Sequence, residues 1–217
     1  MTLDPTLRDA LLAVPTAGLA RALSRRGLPG CSLRGLRART GAGAAGTAFT
    51  LRFIPARGEP AVSLADAIEA VPEGAVVVAD TGGAREALPF AALLSARLAA
   101  RGAVAFVTDG LLPGPSTMPS WQSALPASHG HGLMLAGFGE PVACGGAAVH
   151  PGDVVVGDGD GVVVCPAEFA EAVALEAVDQ QRLEIWLQRE VESGRGLSGL
   201  LPPDADALAR FEADTRS

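Results

Sequence analysis

Pro151-Gly152-Asp153-Val154-Val155-Val156-Gly157-Asp158-Gly159-Asp160-Gly161-Val162-Val163-Val164-Cys165-Pro166 places two valine runs on either side of an Asp-Gly-Asp-Gly core. β-Branched valine packs well on a pleated surface, so the stretch reads as strand, tight turn, strand. Glycine at the turn is expected to supply the positive φ that short hairpin connections favour. Neither run alternates with polar residues, which predicts strands buried on both faces. Asp158 and Asp160 do not make a calcium loop, because the twelve-residue ligand spacing and its closing glutamate are missing.

Outward from the hairpin, a scaffold of strands and helices emerges. Leu7, Leu11 and Leu12 form one helical stripe, and Leu19, Ala22 and Leu23 a second after the break at Pro15-Thr16, with Gly27 as the stop. Residues 28–46 read as loop and end in Gly41-Ala42-Gly43-Ala44-Ala45-Gly46, a G-x-G-x-x-G match. A dinucleotide site needs a helix after those glycines. Thr47 to Phe53 reads as a strand instead, so the match carries no cofactor.

Ser63 is the expected N-cap of a helix bearing Leu64, Ile68 and Val71. The buried strand 75–79 then leads to a helix from about Pro89 to Arg101, with Leu93, Leu94 and Leu98 as its inner face. A second apolar strand, 103–108, completes a βαβ unit. Function in such sheets gathers at the carboxyl ends of strands, here Asp80-Thr81-Gly82-Gly83 and Asp109-Gly110. Residues 110–140 lack periodicity, and a long helix from Glu168 to about Val191 precedes a polar tail, 195–217. With no repeat or linker, the expectation is a single α/β domain over 1–217, its core at about 14–194.

Composition narrows the function. The chain has 217 residues, 48% hydrophobic, with a formal charge of -7. No sustained Lys/Arg stripe meets a phosphate backbone, which disfavours nucleic acid. No run of apolar residues spans a bilayer, and the N-terminus does not read as a signal peptide. Cys31, Cys144 and Cys165 lack CxxC spacing and are odd in number, which fits reduced thiols and a cytoplasmic setting.

Four segments resemble the RraA-like proteins, a family that includes the 4-hydroxy-4-methyl-2-oxoglutarate aldolases: PVACGGAAVHPGDVVVGDGDGVVVCP (141–166), GTAFTLR (46–52), PEGAVVVAD (72–80) and ARGAVAFVTDG (100–110). They occur in family order and spacing, from roughly Val14 to Gly194. The resemblance implies a swivelling β/β/α domain, assembled as a homotrimer or a dimer of trimers, with sites in clefts between subunits. It also implies lyase chemistry: divalent-metal-dependent retro-aldol cleavage and decarboxylation of small oxo-acids.

In that chemistry a metal and an arginine stabilise the enolate as it forms. The family supplies them from a D-G-x-x-R-D motif. Asp109-Gly110-Leu111-Leu112 matches its first half, but Pro113 replaces the arginine and Gly114 the metal-binding aspartate. A second family acid, in a G-[DE]-L-L turn, falls on Ala92 before Leu93-Leu94, and the turn's glycine on Ala91. The expectation is a diverged member with no metal cofactor, acting on a small carbonyl or oxo-acid substrate. The competing reading is a non-catalytic, protein-binding regulator of the RNase E-inhibiting kind.

The candidate residues follow. The amides of Leu93 and Leu94 match those that face the pyruvate carboxylate in the family, and Glu184 matches an acid that reaches a neighbouring subunit's metal. Asp109 is either a general base or the cap of its own turn. His129 and His131 are spaced either for one metal or for a solvated loop. Trp121 either walls an apolar substrate pocket or covers the core. Cys144 and Cys165 are read as small buried hydrophobes.

Overall fold

The computed structural model describes residues 2–40, 43–60, 62–84, 86–116, 118–125 and 132–215. His129 and His131 lie outside the described residues.

The chain opens with α1 (Pro5–Leu12), capped by the Asp4 carboxylate, and α2 (Thr16–Arg25). Two short strands follow, β1 (Ser32–Leu33) and β2 (Leu36–Ala38), within the stretch the sequence leaves as loop. The twelve-residue β3 (Ala44–Pro55) begins inside the glycine run, so Gly46 sits in a strand and not before a helix. A Cβ at Gly46 would collide with the carbonyl oxygen of Gly74, which explains the glycine without a phosphate.

Ser63 caps α3 (Leu64–Glu69) as expected, by accepting from the Asp66 N–H. Then come β4 (Ala75–Asp80), α4 (Ala91–Ala100) and β5 (Ala105–Thr108). β4 pairs in parallel with β3 on one side and β5 on the other. Its alternating side chains fill two layers: Ala75, Val77 and Ala79 meet Leu94, Leu98 and Phe106, while Val76 and Val78 meet Val107, Trp121 and Val155.

The remaining strands are β6 (Ser120–Ser123), β7 (Leu133–Phe138), β8 (Val142–Cys144), β9 (Ala147–Val149), β10 (Val154–Gly157) and β11 (Val162–Cys165). The mixed sheet runs β1-β11-β10-β3-β4-β5-β6-β2. β3 changes partner along its length on the side away from β4: Ala44–Thr47 pair with β10 and Leu51–Pro55 with β7. β8 and β9 form a separate ribbon.

The valine hairpin is antiparallel and buried on both faces, as its unbroken apolar runs predict. Val155, Val162 and Val164 enter the layer around Trp121, and Val154, Val156, Val163 and Cys165 the layer under α1, α2 and α5 (Ala170–Glu192). Each fully buried valine contributes about 2 kcal/mol. The turn differs from expectation: Gly159 and Gly161 do not adopt positive φ. It is closed instead by the Asp158 carboxylate, which accepts from the N–H groups of Asp160 and Gly161. Gly157 is there for space, because a Cβ would lie 2.6 Å from the Trp121 ring.

One further expectation is corrected, and the tail is ordered. Leu93 is 68% exposed and is not part of the inner face of α4, which Leu94 and Leu98 form. The polar tail contains α6 (Ala205–Thr215), which folds back on α5. Trp186 packs with Leu200, Ala207 and Phe211, and its indole N–H donates to Asp214 at 2.8 Å. The chain thus covers Trp186 itself.

Candidate functional site

Because β4 and β5 are parallel neighbours joined through α4, their carboxyl ends emerge side by side. Asp109 spans the gap. Its Oδ1 accepts from the N–H and the hydroxyl of Thr81 at 2.8 and 2.9 Å, and its Oδ2 from the Gly83 N–H at 3.1 Å. Three donors tie this carboxylate to loop 81–83.

Asp80 is 7% exposed and accepts from the Gly82 N–H at 2.7 Å. Burial pushes its pKa up; the Gly82 bond opposes this and the neighbouring Asp109 charge adds to it. Cys144 packs below, its Sγ 3.9 Å from the Ala79 carbonyl. Burial first, then Asp109, holds its thiol well above the ordinary value, and burial pushes Cys165 up to about 12. Neither forms a thiolate near neutrality, in keeping with small buried hydrophobes.

The start of α4 is unusual. Its N-cap is Phe90, a non-glycine residue at φ 53°, with its ring turned outward and the residue 73% exposed. The Leu94 N–H donates to the Phe90 carbonyl and is therefore engaged within the helix. This corrects the expectation that Leu93 and Leu94 together offer amides: the first-turn amides that precede any intrahelical bond belong to Ala91, Ala92 and Leu93.

Loop 110–114 is tied beside this helix start. The Leu111 N–H donates to Glu86, the Leu88 N–H to Leu111, and the Leu112 N–H to Gln122 Oε1 at 2.9 Å. These bonds bring Gly114 against Ala92: a Cβ at Gly114 would lie 3.3 Å from that of Ala92. Positions 92 and 114, to which the resemblance assigns the family's two acids, therefore converge. Gly114 has φ +86°, and the Arg39 guanidinium donates to its carbonyl. Buried oxygen atoms of Glu86 and Thr40 in the flanking segments have no hydrogen-bond partner among the described residues.

The residues to which the resemblance assigns the family's metal do not fit a divalent ion. Such an ion needs several oxygen or nitrogen donors, and Ala92 and Gly114 supply none from their side chains. Among the described residues no group of three or more His, Cys, Asp or Glu could hold a metal.

Two other candidates lie elsewhere. Trp121 is 1% exposed inside the core and donates its indole N–H to the Asp158 carbonyl, so it walls no substrate pocket. Glu184 is ion-paired with Arg21 of its own chain at 2.9 Å and bonded by Gln180. Neither Arg39 nor Phe90 stands out in the sequence. Arg39 is one of several arginines in an apparent loop, and nothing about a phenylalanine marks it for the left-handed region.

A helix-flanked mixed sheet whose parallel strands end in this loop cluster is of the swivelling β/β/α class. Residues 14–164 match the RraA-like family, described as Aldolase/RraA, and the chain belongs to that family. A solved but uncharacterized protein from Pseudomonas syringae pv. tomato superposes with TM-score 0.76 at 25% identity, over 91% of this chain and 93% of that one. The Streptomyces coelicolor protein RraAS2, titled an unusual member of the RNase ES inhibitor RraA protein family, gives 0.75 at 28% identity, over 87% and 98%. A Halalkalibacterium halodurans protein bearing a provisional 4-hydroxy-4-methyl-2-oxoglutarate aldolase name is 46% identical over 41 residues, 19% of this chain and 20% of that relative. Among the described residues no helix is long and apolar enough to cross a membrane.

Proposed function

We propose that this protein is a diverged RraA-like enzyme, lyase-like in its chemistry, that binds a small oxo-acid where α4 begins beside loop 110–114. The observation that carries the reading is the meeting of Ala92 and Gly114: the pocket positions are kept while their ligand chemistry is replaced. The substrate is held without the family's metal pair, in a cleft completed by another copy in a homotrimer or a dimer of trimers. The chain acts as one domain in the cytoplasm. Asp109 serves by shaping loop 81–83 and Asp80 by backing it.

The test is a calorimetric titration of pyruvate and oxaloacetate into metal-free protein. Saturable binding is expected, and its loss in Ala92→Trp with an unchanged melting temperature places the acid at this face. The second reading, a protein-binding regulator, is favoured by the 28% identity and near-full coverage of RraAS2. Absence of binding by either acid in the wild type selects that reading.

A further inference from the structure

Two cavities meet along α1. One, of about 680 Å³, lies between the N-terminal segment, the turn before β10 and the start of α5. The other, of about 290 Å³, lies between α1 and the first turns of α5. Asp4 and Leu7 line both, which makes them two parts of one groove. Leu7 and Ala10 of α1 form one apolar wall, and Ala174 and Leu175 of α5 the other. Leu175 is 62% exposed, so its own chain leaves it uncovered.

The groove carries charge of one sign. Asp4, Asp153, Glu168 and Glu171 edge it, and no arginine lines it. The chain has no lysine. Among the described residues none of these four carboxylates is in an ion pair. Further along the same helix, by contrast, Glu176 holds both Arg25 and Arg26. Asp4 caps α1, and Glu168 and Glu171 suit a helix start. Asp153 has no such use. Burial pushes its pKa up, opposed by the His150 N–H at 2.8 Å and aided by the Glu168 charge. A cation brought beside it would relieve that cost.

We infer that this groove docks a basic amphipathic helix of a partner protein, with its apolar side chains between α1 and α5 and its arginines or lysines against the four carboxylates. Helix-in-groove recognition seats residues at i, i+3, i+4 and i+7 in such a channel. Complementary charge then selects the partner's sign. A second copy of this chain, at a formal charge of -7, lacks that complement. The inference goes beyond the oxo-acid reading and does not depend on it, since no residue of α4 or of loop 110–114 lines the groove.

The test is fluorescence anisotropy on the full chain with a labelled synthetic helix of about 15 residues, roughly four turns, with leucines on one face and arginines on the other. A scrambled peptide of the same composition keeps the charge and loses the apolar face. It should bind about tenfold more weakly. Glu168→Arg with Glu171→Arg should weaken the helical peptide about tenfold. Charge reversal at a helix start also loosens the helix, so Leu175→Ser is the second variant. It removes an exposed side chain, should leave the melting temperature unchanged and should weaken binding about tenfold. Glu59→Arg with Asp206→Arg changes the net charge equally on exposed positions outside the groove and should leave affinity unchanged. Equal binding of the two peptides, or an equal loss in that control, reduces the effect to general attraction and overturns the inference. So does failure of the helical peptide to bind wild type. If Leu175→Ser instead breaks an oligomer in light scattering and leaves peptide binding untouched, the groove belongs to self-association and the inference falls.

Discussion

The Asp158 carboxylate accepts hydrogen bonds from both the N–H and the hydroxyl of Thr16, at 2.8 and 2.7 Å, across 142 positions of chain. One side chain thereby closes the valine hairpin and caps α2, whose own N-cap, Pro15, has no side chain able to do so. Its backbone carbonyl also receives the Trp121 indole N–H at 2.8 Å. Three elements distant in sequence meet at this residue.

Asp158→Ala should destabilise the fold by about 2 kcal/mol, the scale of a lost cap with a donor left unpaired. Partial burial alone would raise the Asp158 pKa, but the Thr16, Asp160 and Gly161 donors outweigh it and hold the carboxyl below its ordinary value. A depressed folded pKa adds stability that is complete above the unfolded value of about 3.9 and disappears as pH falls through the lower folded one. Urea denaturation from pH 7 down to pH 2 should show this acid limb in the wild type. In Asp158→Ala the limb should be shallower, and an identical slope would remove Asp158 from the account.

Gly157→Ala tests the contact between hairpin and Trp121. The new methyl would lie 2.6 Å from the indole, which must shift within a filled core. Overpacking of this kind costs about 1–3 kcal/mol. Gly159→Ala, two positions on, meets nothing within 4 Å and has no positive φ to lose, so it should be close to neutral. Equal melting temperatures for the two variants would contradict the packing explanation.

These glycines show where the sequence was legible. Unbroken valine runs can only be buried on both faces, and they are, because hydrophobic pattern is a local property. The same stretch read alone assigns its glycines to turn geometry. The reason for Gly157 lies in Trp121, 36 positions earlier, and no local pattern records that. Trp121 itself is the size of residue that either a pocket or a core could take, and only the register of β6 decides for the core. Leu93 and Leu94 follow one another in sequence, yet a helix turns about 100° per residue and sends one outward. At the site, the sequence alone shows which residues, Ala92, Pro113 and Gly114, stand where the resemblance puts the family's motif. The approach of positions 92 and 114, and the place of Arg39 at the Gly114 carbonyl, needed the tertiary fold.

Removing α6 should unmask Trp186. Its ring makes an edge contact with Phe211 at 5.9 Å between centroids and lies under the Arg210 guanidinium at 5.7 Å. Ending the chain after Pro203 removes those partners together with Asp214 and Ala207. Tryptophan emission should move to longer wavelength while buried Trp121 keeps its own contribution, and stability should fall by about 2 kcal/mol. Unchanged emission would mean that α6 does not cover the ring in solution.

The last expectation concerns the aldolase family's chemistry. Decarboxylation of oxaloacetate leaves a pyruvate enolate, and loss of one preorganised charge-stabilising group costs about a hundred- to a thousandfold in rate. By the resemblance, Pro113 stands at the arginine position and Ala92 and Gly114 at the two acid positions. Pyruvate release by wild type with added magnesium or manganese should therefore match a protein-free control at equal metal. Restoring Pro113→Arg with Gly114→Asp should not recover the rate. Position 114 has φ +86°, where an aspartate is strained by about 1–2 kcal/mol. Its Cβ would also press on Ala92 at 3.3 Å, with no acid there to complete a metal site. Adding Ala92→Asp supplies that acid but brings two carboxylates together, so this triple variant should fold less stably without metal and gain stability as metal is titrated. Wild-type turnover well above the metal control would show that other residues in the cleft supply the missing charge. Full activity in the double variant would show that loop 110–114 can adopt the family's path.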